Sequence, residues 1–210
     1  MKKFELTTES ITNAVGKKLF RIKALIDFGD VKAGELGGYV EKEENVSQAD
    51  NAWVSGDAEV FENARVCGDA KVYGNTEVFG NAKVYGNAKV YGNAEVFGNA
   101  KVYENAKVYG NAEVCGDARV CGNARVCGNA WVCGDADYAL VQGFGTEFRC
   151  TTFYRGKNKK IMVNCGCFHG DLEEFRKQVK ETRSGKIAKE YLMIADLMKY
   201  HFASEDSSDE

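Results

Sequence analysis

Ala82-Lys83-Val84-Tyr85-Gly86-Asn87-Ala88-Lys89-Val90-Tyr91-Gly92-Asn93-Ala94-Glu95-Val96-Phe97-Gly98-Asn99 is one six-residue phrase written three times. Outward from it, a valine recurs every six residues from Val54 to Val132 without a gap. Four residues after each valine stands Ala, from Ala58 to Ala136, with Thr76 as the exception. In Ala-x-Val, strand alternation sends Ala and Val to one face and the charged residue between them to the other. Gly followed by Asn or Asp supplies a bend. Each hexad therefore reads as a short strand and a corner.

Strands this short cannot pair as hairpins, so the chain is expected to coil, stacking parallel rungs ~4.8 Å apart. The residue before each valine sets the coil length. Glu59, Glu77, Glu95 and Glu113 form one series at a spacing of 18 residues. Arg65, Lys83, Lys101 and Arg119 form a second, and Lys71, Lys89, Lys107 and Arg125 a third. Three hexads make one coil, and a triangular prism results. Phe61, Phe79 and Phe97 follow the Glu-bearing strands; Tyr73, Tyr91 and Tyr109, and then Tyr85 and Tyr103, follow the basic ones. One Glu/Phe face and two Lys/Tyr faces are expected.

The phrase V-Y-G-N-A-K resembles the hexapeptide-repeat motif (aliphatic, x, x, x, small, x) of the left-handed β-helix superfamily, over about residues 40 to 140. The segments Ile26–Val40 (IDFGDVKAGELGGYV) and Val163–Phe175 (VNCGCFHGDLEEF) resemble the leader and the C-terminal module of phage- and prophage-borne hexapeptide-repeat proteins. The resemblance implies a mainly β chain: a left-handed parallel β-helix of about five coils over 41–140, an N-terminal cap over 1–40 and a small C-terminal ββαα module over 141–203. It names no activity, because this fold carries acyltransferases, γ-class carbonic anhydrases and non-catalytic scaffolds alike.

Outside the repeats, the apolar run Leu19 to Phe28 and the Gly-rich turns after it are expected to cover the first coil. Phe148–Tyr154 and Ile161–Phe168 read as two strands around a turn at 156–158. Two helices follow: the first with Asp171 as N-cap and Leu172, Phe175 and Val179 on one side, the second with Ile187, Tyr191, Ile194, Leu197 and Met198 together. The acidic, Ser-rich stretch 204–210 reads as a disordered tail.

The chain has 210 residues, 44% hydrophobic and 28% charged, with 23 Gly and no Pro. Eight Cys without a signal peptide or a long apolar run point to a reduced, cytoplasmic protein, the host cytoplasm if the gene is phage-borne, with no membrane role. A net charge of −3 and the lack of a recognised motif speak against nucleic acid as partner. The superfamily's acyltransferases use a histidine base, and its carbonic anhydrases use three histidines on zinc. Here the two histidines, His169 and His201, lie beyond the repeats, so no catalytic residue and no cofactor are assigned. Cys165, Cys167 and His169, with Cys150 nearby, are zinc-ligand types, but C-x-C-x-H departs from the usual C-x2-C knuckle. Buried thiols are the commoner explanation, and no metal is assigned. Cys115, Cys121, Cys127 and Cys133 replace aromatic residues in the last coils and are read as structural thiols, although Cys115 and Cys133 share a face on neighbouring rungs.

The charge columns carry the functional expectation. Stacked Glu side chains repel by about 0.9 kcal/mol per neighbouring pair even at the dielectric of water. Duplication of one unit would explain the columns without a role; yet Lys and Arg interchange along the basic ones while the sign holds. Two uses follow. Glu59, Glu77, Glu95 and Glu113 with Phe61, Phe79 and Phe97 are candidates for an oligomer interface, docking on a neighbour's basic face in a trimer. Lys71, Lys83, Lys89, Lys101 and Lys107 with Tyr73, Tyr85, Tyr91, Tyr103 and Tyr109 are candidates for meeting an anionic partner. The leading expectation is a non-enzymatic, phage-encoded binding protein of counter-defence, acting on a host macromolecule or sequestering an anionic nucleotide signal. A self-associating scaffold and an acyltransferase-like enzyme are the alternatives.

Overall fold

The computed structural model describes residues 2–203 and forms a parallel β-solenoid of about five coils between two caps. Strands β1 (Phe4–Thr12), β2 (Lys18–Ala24) and β3 (Leu36–Val40) precede fourteen short strands, β4 to β17, that run from Trp53–Gly56 to Trp131–Val132. Repeat strands pair in parallel with the residue 18 positions on, as the columns require: Glu59 on Glu77, Arg65 on Lys83, Lys71 on Lys89. Three sheets of eight, five and four strands form the faces, the eight-stranded one being lengthened by the antiparallel β1 and β2.

Every valine of the series Val54 to Val132 is fully buried, as are the alanines between them. Each such valine contributes roughly 1.5–3 kcal/mol of burial. Thr76, the exception to alanine, is also fully buried and satisfies its hydroxyl by donating to the Tyr73 carbonyl at 2.9 Å. The corners are tight: Gly80 has φ +71°, and a Cβ there would lie 2.9 Å from the Gly98 nitrogen one rung below. Asn side chains at the next position form ladders of their own, Asn63 to Asn81 to Asn99.

The solenoid begins two strand positions earlier than the unbroken valine series. Val40 stacks on Val60 and Val46 on Val66, each 20 residues apart, because two extra residues are inserted before Val54. Strand β4 is the edge of its sheet, so the carbonyls beside it have no rung partner above them. The Lys3 ammonium fills the gap, donating to the carbonyls of Ala49, Asp50 and Ala52 at 3.3, 3.3 and 2.8 Å. Burial pushes this lysine down to about 8.

The C-terminal module differs from the ββαα expectation. It holds four antiparallel strands, β18 (Tyr138–Phe144), β19 (Arg149–Arg155), β20 (Ile161–Cys165) and β21 (Phe168–Asp171), then helices α1 (Leu172–Thr182) and α2 (Gly185–His201). The strand β18 showed no alternation because both its faces are covered: Tyr138 and Leu140 pack on the solenoid core, Ala139 and Val141 on the helices. The run Ile161–Phe168 is broken at Gly166, whose φ of +63° turns β20 into β21. Asp171 caps α1, accepting from the Glu174 amide at 2.9 Å, and Leu172, Phe175 and Val179 are buried. In α2, Leu197 departs from the expected inward set and is 58% exposed; Ala195 takes the buried place. The tail stretch 204–210 lies outside the described residues.

Candidate functional site

The three faces carry the expected columns, but the chain itself uses them unequally. On the Glu/Phe face, Phe61, Phe79 and Phe97 stack in parallel with ring centroids 5.0 Å apart. The cap reaches this column: Leu19 and Tyr39 bury Phe61 to 2% exposure, with Ile11 and Phe79 packed alongside. At the other end Lys157 pairs with Glu113 at 2.5 Å. Burial pushes the carboxyls of Glu59, Glu77 and Glu95 above the usual range, and neighbouring glutamates push Glu77 and Glu95 further. Of the candidate interface, Glu77, Glu95, Phe79 and Phe97 are half-buried, and among the described residues neither Glu77 nor Glu95 is in an ion pair, whereas Glu113 is.

One basic face is similarly engaged. Lys71 is held by Asp30 at 2.5 Å, and Trp53 tops its column against Phe4 and Phe28. At its lower end, Tyr109 accepts from Asn164 at 3.1 Å, and the Arg125 amide donates to Thr152. Lys89 and Lys107 stand between, beside Tyr73, Tyr91 and Tyr109 stacked at 5.0 and 4.9 Å.

On the other basic face the C-terminal module reaches the lower end, where Tyr138 donates to the Arg119 carbonyl and the Arg119 amide donates to Asp135, and the cationic side chains are left open. Arg65, Lys83, Lys101 and Arg119 stack in register, and among the described residues none is in an ion pair. Arg65, Lys83 and Arg119 are exposed. Tyr85 and Tyr103 stack beside them at 5.0 Å. The Tyr103 phenol, by its hydrogen bond to the Cys121 sulfur and then by burial, is pushed up to about 12.

The last-coil cysteines have a structural use that spacing alone did not reveal. Where an aromatic rung would stand, Cys121 and Cys127 leave room for tyrosines of the C-terminal sheet. Tyr138 reaches Cys121 at 3.5 Å and donates to the Arg119 carbonyl at 2.5 Å; Tyr154, fully buried, reaches Cys127 at 3.3 Å and His169 at 3.0 Å. Burial drives both phenols far above their ordinary values. On the third face, Cys115 and Cys133 are joined as a disulfide with Cα atoms 4.4 Å apart, where separate thiols were expected; parallel register places them directly on one another. Among the described residues no group of three His, Cys, Asp or Glu is placed to hold a metal. Strand alternation is the reason at C-x-C-x-H. Cys165 faces the helices, whereas His169 and Cys150 face the solenoid, through Tyr154 and the Asn123 carbonyl. Among the described residues no helix is long and apolar enough to cross a membrane.

Parallel coils, columns of identical side chains and covered ends define a β-solenoid repeat protein. Within that class, residues 118–134 match the family described as the YdcK β-solenoid repeat. The match covers the coil that carries Arg119, Cys121, Arg125 and Cys127. No curated protein matches the chain.

Proposed function

We propose that this chain is a non-enzymatic binding protein that presents the open face of Arg65, Lys83, Lys101 and Arg119, with Tyr85 and Tyr103, to an extended anionic partner. The observation that carries the reading is the unequal use of the faces: this column alone among the three has no ion pair to its own chain among the described residues. The rungs hold the backbone positions of these cations ~4.8 Å apart, so a partner with charges at a similar repeat can meet all four at once. The tyrosine rings add flat apolar surface beside them. A phage-encoded role in counter-defence, against a host macromolecule or an anionic nucleotide signal, is the finer form of this proposal and rests on the sequence resemblance.

The test is titration with inorganic polyphosphate, with ADP as a short anion, at rising salt. Expected is saturable polyphosphate binding that weakens as salt is added, tighter than ADP, abolished in Lys83→Glu/Lys101→Glu and retained in Lys89→Glu/Lys107→Glu. Affinity indifferent to salt, or equal loss in both variants, would overturn the assignment to this face.

A further inference from the structure

Between the helix side of the C-terminal sheet and the two helices lies a cavity of ≈ 180 Å³. Its floor is apolar, from Phe168, Phe175, Val179 and the ring of Tyr191, and its rim carries Arg149 and Arg183. The module has four arginines. Arg155 pairs with Asp137 and Arg176 with Asp196, whereas Arg149 and Arg183 have no carboxylate within ion-pair distance among the described residues. The Arg183 guanidinium donates to the Thr182 carbonyl at 3.2 Å. Both guanidiniums act on the cavity floor: burial pushes the Tyr191 phenol up, and Arg183 and Arg149 each pull it back. Glu147 also lies on the rim, leaving two positive charges against one negative.

We propose that this cavity is a binding site for a small organic anion, a carboxylate carried on a body of about one ring. Size sets the body: an apolar cavity of about 150 Å³ accepts benzene, and this one, of ≈ 180 Å³ and open to solvent on one side, admits a single ring. Charge sets the head group. Two arginines from different elements, Arg149 at the start of β19 and Arg183 just after α1, line the same cavity, and a guanidinium fork suits the two oxygens of a carboxylate. Neither arginine is held by a carboxylate, since the partners that hold Arg155 and Arg176 have no counterpart at the rim beyond Glu147. The site is separate from the solenoid faces, and the proposal does not depend on the reading of those faces.

Calorimetric titration of the full chain with benzoate, benzamide and inorganic phosphate tests it. Benzoate should bind saturably; benzamide, of the same shape without the charge, and phosphate, with charge but no ring, should each bind at least about tenfold more weakly. Arg149→Gln and Arg183→Gln should each lower benzoate affinity about tenfold, and Glu147→Gln should raise it. Unchanged far-ultraviolet circular dichroism and unfolding midpoint in the absence of benzoate identify variants that still fold. The proposal is overturned if benzoate shows no saturation, if benzamide or phosphate matches it, or if folded Arg149→Gln and Arg183→Gln variants bind benzoate as the parent does.

Discussion

Glu77 and Glu95 each stand between two carboxylates of their own column, half-buried, with their charged forms disfavoured by burial first and by the neighbouring glutamates second. Their folded-state pKa is raised above the unfolded value. Such a group stabilises the fold fully below the unfolded pKa, near 4.5, and that contribution is lost as pH rises through the raised value. At neutral pH the ionised column therefore works against folding. Changing both residues to Gln keeps the shape and removes the charge, so Glu77→Gln/Glu95→Gln should be more stable than the parent at pH 7. Water screening reduces the bare repulsion, and a gain of about 0.5–1 kcal/mol is expected. Urea unfolding at pH 7 and pH 4 checks it: the difference should shrink on acidification, and a gap that widens would mean the carboxylates are held by attractive contacts instead. Lys3 obeys the opposite arithmetic. Its pKa is lowered to about 8, so its desolvation penalty is relieved, and its contribution to stability rises, as pH climbs from about 8 towards its unfolded value.

At the scale of elements, the two ends of the solenoid are closed by different devices, and one was far more legible than the other. The repeat itself was open to reading because translational symmetry leaves little choice: Val at every sixth position and Glu at every eighteenth determine rung, coil and column together. The strand β18 was hidden, and although the solenoid is legible from residue 41, the register of its first coil is not, because two residues are inserted between Val46 and Val54. The role of Cys127 was hidden too, because it lies in what the residue makes room for. Its thiol admits Tyr154, whose hydroxyl also meets His169. Restoring the aromatic rung with Cys127→Tyr should therefore expel Tyr154 and loosen β18–β21 from the last coil, whereas Cys127→Ser should leave it docked. Hydrogen exchange over residues 138–171 separates these outcomes; a cap that stays protected in Cys127→Tyr would show that Tyr154 does not anchor it. Alkali should act on the same joint. The phenols of Tyr138 and Tyr154 are raised by burial, so the stability they lend is fully present below their unfolded value near 10 and falls as pH rises through the higher folded values. The cap should lose protection above pH ~10, before the solenoid unfolds.

For the whole molecule, the question is whether the open basic face meets only foreign anions or also the Glu column of another copy. Both columns repeat at the rung spacing, so they are complementary rulers, and a heterologous contact between faces of a triangular prism can close after three copies. The chain's own contacts narrow the surface available. Phe61 is covered by Leu19 and Tyr39, and Glu113 is taken by Lys157, which leaves Glu77, Glu95, Phe79 and Phe97 to face Lys83 and Lys101 of a neighbour. Two rungs bury little area, so the homotrimer proposed here would be held largely by charge and would respond to salt. Light scattering at low ionic strength should give the mass of three chains for the parent and of one chain for Glu77→Lys/Glu95→Lys, and added salt should bring the parent to the same single-chain mass. The polyphosphate titration then becomes a competition, because a trimer occupies the column that polyphosphate needs. Polyphosphate should dissociate the trimer, and the monomeric Glu→Lys variant should bind it more tightly than the parent does. A single-chain mass for the parent at low salt would remove the trimer and leave the Glu column as a charged surface, with the basic face still free for its anionic partner.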